Sequence, residues 1–365
     1  MNAKQKLILQ EWIFIMLAWL FIMNLYSVVV IWGLDSLVDW QALQPYDNIW
    51  LVYVEPTVFG LIFGLFFAFI NTLSEQTFIR KQSFSFIILV KSLLYLISLI
   101  IVYFIFFIIY TLMGILPDEI FSLATEKLDY KIYLSIIIYF VFFILVINFL
   151  VLINKKFGPG NLWNFVTGKY HSPKKESRLF MLLDLKGSTT IAEQLGHFQY
   201  SKLLQYCFHD ITDIVIKYNA EIYQYVGDEV VLTWSLENGL KELNFIRLFF
   251  EFQKKLESKK EIYFSKFGVF PVFKAGIEMG EVTVAEVGEI KREIAYHGDV
   301  LNTAARIQEK CNEFHHNLLI SEHLQKEING FNHYKTELMG NIQLRGKQNP
   351  LKILAVIPNG TIDQA

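Results

Sequence analysis

Cysteine is scarce in this sequence: Cys207 and Cys311 are the two cysteines among 365 residues, which excludes a fold built on a disulfide framework. Basic charge is not in excess either, because 33 lysines and arginines stand against 35 aspartates and glutamates. That balance leaves no excess of positive charge to neutralise the phosphates of a nucleic acid, so we expect no nucleic-acid partner. A cleavable signal peptide is not evident, since the first apolar segment is long and lacks a small-residue cleavage motif. Scarce cysteine fits a reducing, cytosolic location for the polar half of the chain.

Long apolar runs, by contrast, fill the first 153 residues. Four of them match or exceed the roughly 20 apolar residues that are needed to cross a hydrocarbon core about 30 Å thick. They cover residues 12–34, 49–73, 84–115 and 131–153. We therefore predict a transmembrane domain of four helices in contact with membrane lipid. An even number of spans places both ends of the domain on the same side.

Charges at the ends of these runs predict the orientation. One side has basic residues, Lys4, Lys6, Arg80, Lys81, Lys155 and Lys156, and the other has acidic residues, Asp35, Asp39, Asp47, Asp118, Glu119 and Asp129. Because basic flanks stay in the cytoplasm, we predict a multi-pass protein of the cell membrane with a cytoplasmic N-terminus and a cytoplasmic polar half. Inside the third run, Lys91 lies one to two turns from the cytoplasmic edge, where its side chain can snorkel to the surface.

Composition along the chain predicts four parts. They are a four-helix transmembrane domain at 1–153, a juxtamembrane linker or transducing element at 154–177, a globular domain at 178–358 and a C-terminal tail at 359–365. Glycine and proline in Lys155-Lys156-Phe157-Gly158-Pro159-Gly160 end the fourth span. A short amphipathic segment at 162–166 then leads toward the globular domain.

Hydrophobic periodicity in the globular domain predicts an α+β fold. The predicted elements are strand 178–185, helix 190–217, strand 220–226, strand 229–235, helix 236–258, strand 271–279 and strand 282–288. Their order is βαββαβ with an added hairpin strand, which is typical of a ferredoxin-like antiparallel sheet covered on one face by two helices. Thr190 and Glu193 have the spacing of a capping box, so we expect the first helix to begin there.

Two aspartates stand at predicted strand ends. Asp184 ends the apolar run that begins at Phe180, and Asp228 lies in a Gly-Asp turn between two alternating stretches. Two carboxylates at neighbouring strand ends of one sheet can hold hard cations. Oxygen ligands combined with phosphate favour Mg²⁺ or Mn²⁺.

Two further motifs suit phosphate chemistry. Asn302 and Arg306 are four residues apart in a helix-forming segment, so an amide and a guanidinium share one helical face. Gly187 follows Asp184 and precedes Ser188 and Thr189 at the predicted helix start. Glycine there permits close backbone approach, and the first amides of the helix can bind phosphate oxygens.

Taken in this order, the residues resemble the catalytic domain of class III nucleotidyl cyclases over about residues 165–358. The resemblance implies conversion of a nucleoside triphosphate to its 3′,5′-cyclic monophosphate and pyrophosphate. It implies two divalent cations, Mg²⁺ or Mn²⁺, per site. It also assigns the site residues: Asp184, Asp228 and the backbone carbonyl of Leu185 to the metals, Asn302 to the ribose oxygen, Arg306 to the α-phosphate, and Gly187, Ser188, Thr189 and Arg345 to the triphosphate. A head-to-tail homodimer is further implied, in which the aspartates of one subunit face Asn302 and Arg306 of the other.

The residues that would read the base depart from the family's patterns. Adenylate cyclases commonly have lysine four residues before the second metal aspartate and Asp, Thr or Ser seven before the asparagine, whereas guanylate cyclases have Glu and Cys. Gln224 and Ala295 occupy these positions here, with Tyr296 beside them. Glutamine can present a donor or an acceptor to a purine. We favour ATP over GTP, because glutamine lacks the carboxylate that best accepts guanine's N1–H and N2–H₂ hydrogens.

The sequence therefore predicts a membrane-anchored adenylate cyclase for intracellular signalling. A guanylate cyclase making cyclic GMP is one alternative. A catalytically silent nucleotide-binding membrane receptor is another, although all four positions that would carry the chemistry are present. A transporter regulated by the globular half is a weaker hypothesis, because no paired set of ionisable residues lines the predicted spans.

Overall fold

A computed structural model describes residues 3–34, 51–76, 84–112, 130–157, 161–328, 330, 333–343 and 350–359. The chain forms two compact units, one of residues 5–159 and one made mainly of residues 160–365. Each unit has its own hydrophobic core.

Four long helices make up the first unit. They are α1 (Ala3–Leu34), α2 (Leu51–Gln76), α3 (Phe84–Leu112) and α4 (Tyr130–Phe157). Within the described residues, these four are the helices that are long and apolar enough to cross a membrane. The prediction of four membrane helices is confirmed, although α1 begins nine residues before the predicted span at 12–34 and α4 ends four residues after the predicted span at 131–153.

Aromatic rings and two glycines pack the centre of the four-helix unit. Trp19 of α1 is fully buried, with its ring centroid 4.5 Å from that of Phe63 and 4.6 Å from that of Phe67. A Cβ atom at Gly60 would lie 2.9 Å from the Cα of Leu20, and one at Gly64 would lie 2.8 Å from the Cα of Met16. The two glycines, four residues apart, therefore let the backbones of α1 and α2 approach closely.

A buried polar network joins all four helices. The Nζ of Lys91 donates to Oδ1 of Asn71 at 2.6 Å, and Nδ2 of Asn71 donates to Oε1 of Glu11 at 3.0 Å. The same Glu11 oxygen pairs with Nζ of Lys155 at 2.7 Å. Lys91 is only 3% exposed, so the prediction that it snorkels is wrong. Polar partners on neighbouring helices make burial of the ammonium group tolerable without contact with the surface.

The second unit begins with a short helix, α5 (Asn161–Val166), and continues as a mixed α+β domain. Its strands are β1 (Lys174–Leu185), β2 (Glu221–Val226), β3 (Glu229–Ser235), β4 (Phe273–Val287), β5 (Glu293–His297), β6 (Leu318–Ser321), β7 (Tyr334–Ile342) and β8 (Leu351–Pro358). Its helices are α6 (Ser188–Lys217), α7 (Leu236–Leu240), α8 (Asn244–Glu257), α9 (Lys260–Phe267), α10 (Asp299–Glu309) and α11 (Glu322–Lys326), with a 3₁₀ turn at Lys241–Leu243.

One sheet contains all the described strands. Their order is β2-β3-β1-β4-β6-β8-β7, and β5 pairs with β4 outside this path. The pairs β2–β3, β3–β1 and β1–β4 are antiparallel, whereas β4 and β6 run parallel. The first four strands and the helices between them have the predicted βαββαβ order, so the ferredoxin-like prediction is confirmed.

Two of the predicted strands are in fact one. The predicted strands 271–279 and 282–288 are replaced by a single strand, β4 (Phe273–Val287), which pairs with β1 continuously from Lys174↔Val284 to Leu185↔Phe273. Gly280 is not a turn; a Cβ atom there would lie 2.8 Å from Cγ2 of Val300 on α10. The added hairpin strand is β5, and β1 begins at Lys174, inside the segment predicted as linker.

The predicted helices also differ in detail. Helix 236–258 is divided into α7, the 3₁₀ turn and α8, because Glu242 and Leu243 adopt positive φ angles. Helix α6 begins at Ser188 rather than at the Thr190–Glu193 capping box, and its N-cap is Gly187 without a side-chain cap. It contains a break at Gly196, where φ is 70°.

The two faces of the sheet are covered by different helices. Alternate residues of β1 point to opposite faces. Leu179, Met181 and Leu183 pack in the core that contains α6 and α8, whereas Phe180 and Leu182 pack with Val300 and Ala304 of α10. Asp184 follows the second set in the alternation and therefore belongs to the α10 face.

Candidate active site

Sheet register brings the two predicted metal aspartates together. Asp184 is the penultimate residue of β1 and pairs in register with Glu229, the first residue of β3. Asp228 precedes Glu229 in the β2–β3 turn, where Gly227 has a φ of 63°. The turn therefore carries Asp228 to the end of β1, beside Asp184.

Burial and repulsion between carboxylates raise the pKa of two members of this cluster, Asp184 and Glu229. Burial and the negative charge of Asp228 raise the pKa of Asp184. Burial, together with the charges of Asp184 and Asp228, raises the pKa of Glu229 to about 7. The cluster thus has more negative charge than its own surroundings neutralise. A divalent cation would supply the missing positive charge.

Two side chains that sequence reasoning did not select hold Asp184. Lys274 of β4 pairs in register with Asp184, and its Nζ lies 3.4 Å from Oδ2 of that residue. Nε2 of Gln308, at the end of α10, donates to the same oxygen at 2.6 Å. Both contacts oppose the rise in the pKa of Asp184. The sequence offers a signal for Lys274, which is a lysine within a mostly apolar strand. It offers no comparable signal for Gln308.

The N-terminus of α6 opens directly after the carboxylates. Gly187 adopts a left-handed conformation with φ of 69°. Its carbonyl oxygen accepts a hydrogen bond from the backbone amide of Ile191 at 3.1 Å. The earlier amides of this first turn, which include those of Ser188 and Thr189, have no partner within an α-helix and can donate to an anion. Tyr200, also missed from sequence, lies near this turn: burial and then the charge of Asp228 raise its pKa.

Asn302 and Arg306 lie on the exposed face of α10. Nη1 of Arg306 pairs with Oε2 of Glu309 at 2.9 Å. Among the residues that the structure describes, no ion pair joins Arg306 to Asp184 or Asp228. One chain thus brings together the carboxylates and the α6 N-terminus, whereas the predicted phosphate-binding pair points to solvent from the other side of the helix.

The predicted base-reading residues lie on β2 and β5. Gln224 is exposed, and Ala295 is half-buried. Tyr296 accepts a hydrogen bond from Nη2 of Arg178 at 2.6 Å, and its ring centroid is 4.9 Å from that of Tyr223. Because Tyr223 contacts Tyr296, the residues next to them in sequence, Gln224 and Ala295, lie in the same part of the folded domain. Arg345, predicted to contact the triphosphate, lies outside the described residues.

The residues present fit a pair of hard cations. Carboxylates of Asp184 and Asp228 and the carbonyl of Leu185 supply oxygen atoms only, as Mg²⁺ and Mn²⁺ prefer. In the described part of the chain, no three His, Cys, Asp or Glu side chains form a complete metal cage. Triphosphate oxygens can complete the coordination of a cation that is held by two carboxylates.

Comparison with known proteins identifies the family. Residues 171–355 match the family described as "Adenylate and Guanylate cyclase catalytic domain", and the chain belongs to this family. Adenylate cyclase 2 of Rhizobium meliloti (strain 1021) is 27% identical over 309 residues, which are 84% of this chain and 85% of that protein. The prediction of a membrane-anchored class III nucleotidyl cyclase is confirmed at the level of the family and of the four apolar helices.

Solved structures are similar as well. A bacterial light-regulated adenylyl cyclase has a TM-score of 0.53 at 16% identity, with 64% of this chain and 66% of that chain covered. The adenylyl cyclase CyaB from P. aeruginosa has a TM-score of 0.46 at 18% identity, with 52% of this chain and 98% of that chain covered. At 16% sequence identity, the similarity to the light-regulated adenylyl cyclase supports the assignment of the fold.

The carboxylate cluster predicts how stability depends on pH without metal. The folded state binds the Glu229 proton more tightly than the unfolded state, so stability should fall as pH rises from about 4.5 to about 7. In EDTA, we expect full-length protein in detergent to melt lower at pH 8 than at pH 5.5. Asp228→Asn should raise the melting temperature at pH 8 by about 2–4 °C, for a gain on the order of 1 kcal/mol.

Scanning fluorimetry that follows thermal unfolding of the second unit checks this result. Glu261→Gln removes an exposed carboxylate elsewhere and should leave the melting temperature unchanged. Saturating Mn²⁺ should reverse the wild-type pH trend. A wild-type protein that is more stable at pH 8 than at pH 5.5 in EDTA would contradict the repulsion argument.

Proposed function

We propose that the protein is an adenylate cyclase that converts ATP to 3′,5′-cyclic AMP and pyrophosphate as a homodimer. The observation that carries this proposal is the juxtaposition of Asp184 and Asp228 beside the open N-terminus of α6. A negatively charged cluster next to the first backbone amides of a helix suits a cation-bound triphosphate: the carboxylates bind through metal, and the amides bind phosphate oxygens directly.

Each group of the chain then has a defined task. Two divalent cations, when bound, lower the pKa of the ribose 3′-hydroxyl and neutralise charge on the leaving pyrophosphate. Asp184, Asp228 and the Leu185 carbonyl hold these cations. Gly187, Ser188 and Thr189 orient the triphosphate so that the 3′-oxygen lies in line with the α-phosphorus.

Asn302 and Arg306 complete the site from a second subunit. Asn302 would hold a ribose oxygen, and Arg306 would stabilise the charge that develops on the α-phosphate. Their exposure on α10, on the side opposite its buried face, supports a site that is shared between two chains. A two-fold axis would bring each pair to the partner's carboxylates and would produce two equivalent sites. Arg345 would add a further contact with the triphosphate.

ATP is the proposed substrate because Gln224 is neutral. Guanine presents N1–H and N2–H₂ donors, which a carboxylate accepts best, whereas an amide can serve adenine's donor and acceptor together. Gln224, Ala295 and Tyr296 are the proposed base-reading residues. A guanylate cyclase is the second candidate, since Ala295 offers only a methyl group to either base.

The four apolar helices support a multi-pass location in a membrane, in contact with lipid. The basic residues that flank them support the cell membrane with the N-terminus and the catalytic domain in the cytoplasm. Nucleoside triphosphates are then available to the site, and its product acts in intracellular signalling.

The test uses full-length protein in detergent with Mn²⁺ and either ATP or GTP, followed by identification of the product. Cyclic AMP as the main product supports the proposal, and cyclic GMP as the main product favours the second candidate. Metal-dependent nucleotide binding without a cyclic product would instead identify a catalytically silent receptor.

Base reading can be tested separately through Gln224→Glu. We expect the ratio of kcat/KM for GTP to that for ATP to rise about 10-fold or more, because the new carboxylate accepts from guanine and opposes N1 of adenine. Gln205→Glu makes the same charge change on an exposed position of α6 and should leave the ratio unchanged. Equal ratios in the Gln224 variant and the wild type would mean that this residue does not contact the base.

A further inference from the structure

Gln308 is buried at the active site although it lies at the end of a surface helix. Gln308 is 6% exposed, and its Nε2 donates a hydrogen bond to Oδ2 of Asp184 at 2.6 Å. A buried amide requires a partner, and a hydrogen bond to a carboxylate is among the stronger ones that an amide makes. Gln308 therefore has a specific contact with a proposed metal ligand rather than a general packing role.

Close packing of α10 on the sheet fixes the position of this contact. A Cβ atom at Gly276 would lie 2.3 Å from the backbone nitrogen of Gln308 and 2.4 Å from the carbonyl oxygen of Ala304. Helix and strand thus meet backbone to backbone. Gly276 is two residues from Lys274, which pairs in register with Asp184, so one segment of β4 positions both partners of that carboxylate.

Lys274 and Gln308 act on Asp184 in different ways. Both lie near Oδ2, so together they hold that oxygen in place, while Oδ1 can serve a cation. Lys274 brings a positive charge that competes with a cation. The neutral amide of Gln308 orients the carboxylate without that competition, as outer partners of metal ligands commonly do.

The same helix carries Arg306 on its exposed face, two residues before Gln308. If the proposed homodimer forms, Arg306 serves the partner's carboxylates while Gln308 serves Asp184 of its own chain. Helix α10 then spans two active sites.

We propose that Gln308 is a positioning residue for the cyclase reaction, which orients Asp184 of its own chain for metal binding and does not act in the site that Arg306 completes. This inference rests on the proposed function for the reaction that it assists. The contact itself is intramolecular and can be tested without turnover.

The first test measures binding of Mn²⁺ alone to full-length protein in detergent, by electron paramagnetic resonance of the free ion. Gln308→Leu keeps the approximate volume and removes the amide, and we expect affinity for Mn²⁺ to fall about 10-fold. Thr303→Val is the matched control, because Thr303 is buried on the same helix and donates to the carbonyl of Asp299 instead. The control should bind Mn²⁺ as the wild type does.

The second test separates the two sites of a heterodimer, purified through two different tags. One chain carries Arg306→Ala and the other Asp184→Ala, so the single complete site uses the carboxylates of the first chain and the arginine of the second. Gln308→Leu added to the Arg306→Ala chain should raise the KM for Mn²⁺ about 10-fold. Added to the Asp184→Ala chain, where its partner is missing, it should give the KM of the parent heterodimer.

The outcomes are distinct. Unchanged Mn²⁺ affinity in folded Gln308→Leu would overturn the proposal, and Gln308→Met replaces it if the leucine variant does not fold. An equal or larger loss of activity when Gln308→Leu is in the Asp184→Ala chain would also overturn it, since Gln308 would then act by supporting Arg306. If wild-type protein forms no cyclic nucleotide, the proposed function fails, and the Mn²⁺ measurement still decides the role of Gln308.

Discussion

Asp228→Asn is expected to abolish nearly all cyclase turnover while the protein remains folded. The substitution keeps the size of the side chain but removes one of the two charges that would hold the cations. Loss of the charge stabilisation that metals provide in the transition state is worth several kcal/mol, which corresponds to at least about a 100-fold decrease in kcat. Cyclic nucleotide formation by full-length protein with saturating Mn²⁺ and ATP is the measurement.

Stability provides the control for this prediction. Because Asp228 contributes to the repulsion that raises the pKa of Asp184, the asparagine variant should melt no lower than the wild type in EDTA. Low activity combined with a lower melting temperature would indicate misfolding rather than a lost metal ligand. Activity above about a tenth of the wild type, in a folded variant, would remove Asp228 from the catalytic site.

Mixing two inactive variants is expected to restore activity. Asp184→Ala and Arg306→Ala proteins should each be nearly inactive, because every site in either homodimer lacks one essential group. In a mixed dimer one site lacks both groups and the other is complete, so it should reach about half of the wild-type rate. With random exchange of equal amounts, half of the dimers are mixed, and the whole sample should reach roughly a quarter of wild-type activity.

Co-expression with two tags provides the measurement, and tag pull-down shows that mixed dimers are present. Asp184→Ala mixed with Asp228→Asn is the matched control: both variants lack metal ligands, so no mixed site is complete and no recovery is expected. Recovery no greater than the sum of the separate variants, with mixed dimers present, would show that each site is built within one chain.

The acidic cluster that contains the proposed metal ligands Asp184 and Asp228 opposes folding when no metal is bound. Burial and mutual repulsion raise the pKa values of Asp184 and Glu229, so the metal-free cluster is electrostatically unfavourable at neutral pH. Lys274 and Gln308 compensate only in part. This pattern is typical of functional sites, where charge is arranged for a ligand rather than for the stability of the chain alone.

Much of this protein could be predicted from its sequence, for local reasons. A run of about 20 apolar residues crosses a bilayer as a helix, because a helix satisfies the hydrogen bonds of its own backbone. Four membrane helices therefore follow from composition. Periodicity separates strands from helices in the catalytic unit, and the order βαββαβ follows from it. Asp184 and Asp228 were predicted to lie together because strand ends and a Gly-Asp turn are local signals.

Other features depend on contacts between residues far apart in the chain, which local patterns do not encode. Lys91 is buried because Asn71 and Glu11 of other helices supply partners. Strand β4 continues through Gly280 because β1 pairs with both of its halves, although glycine commonly marks a turn. Gln308 reaches Asp184, 124 positions earlier, because Gly276 lets α10 lie against the sheet. The sequence by itself determined which groups could perform the chemistry; the tertiary structure decided which neighbours orient them, because orientation depends on strand register and helix packing.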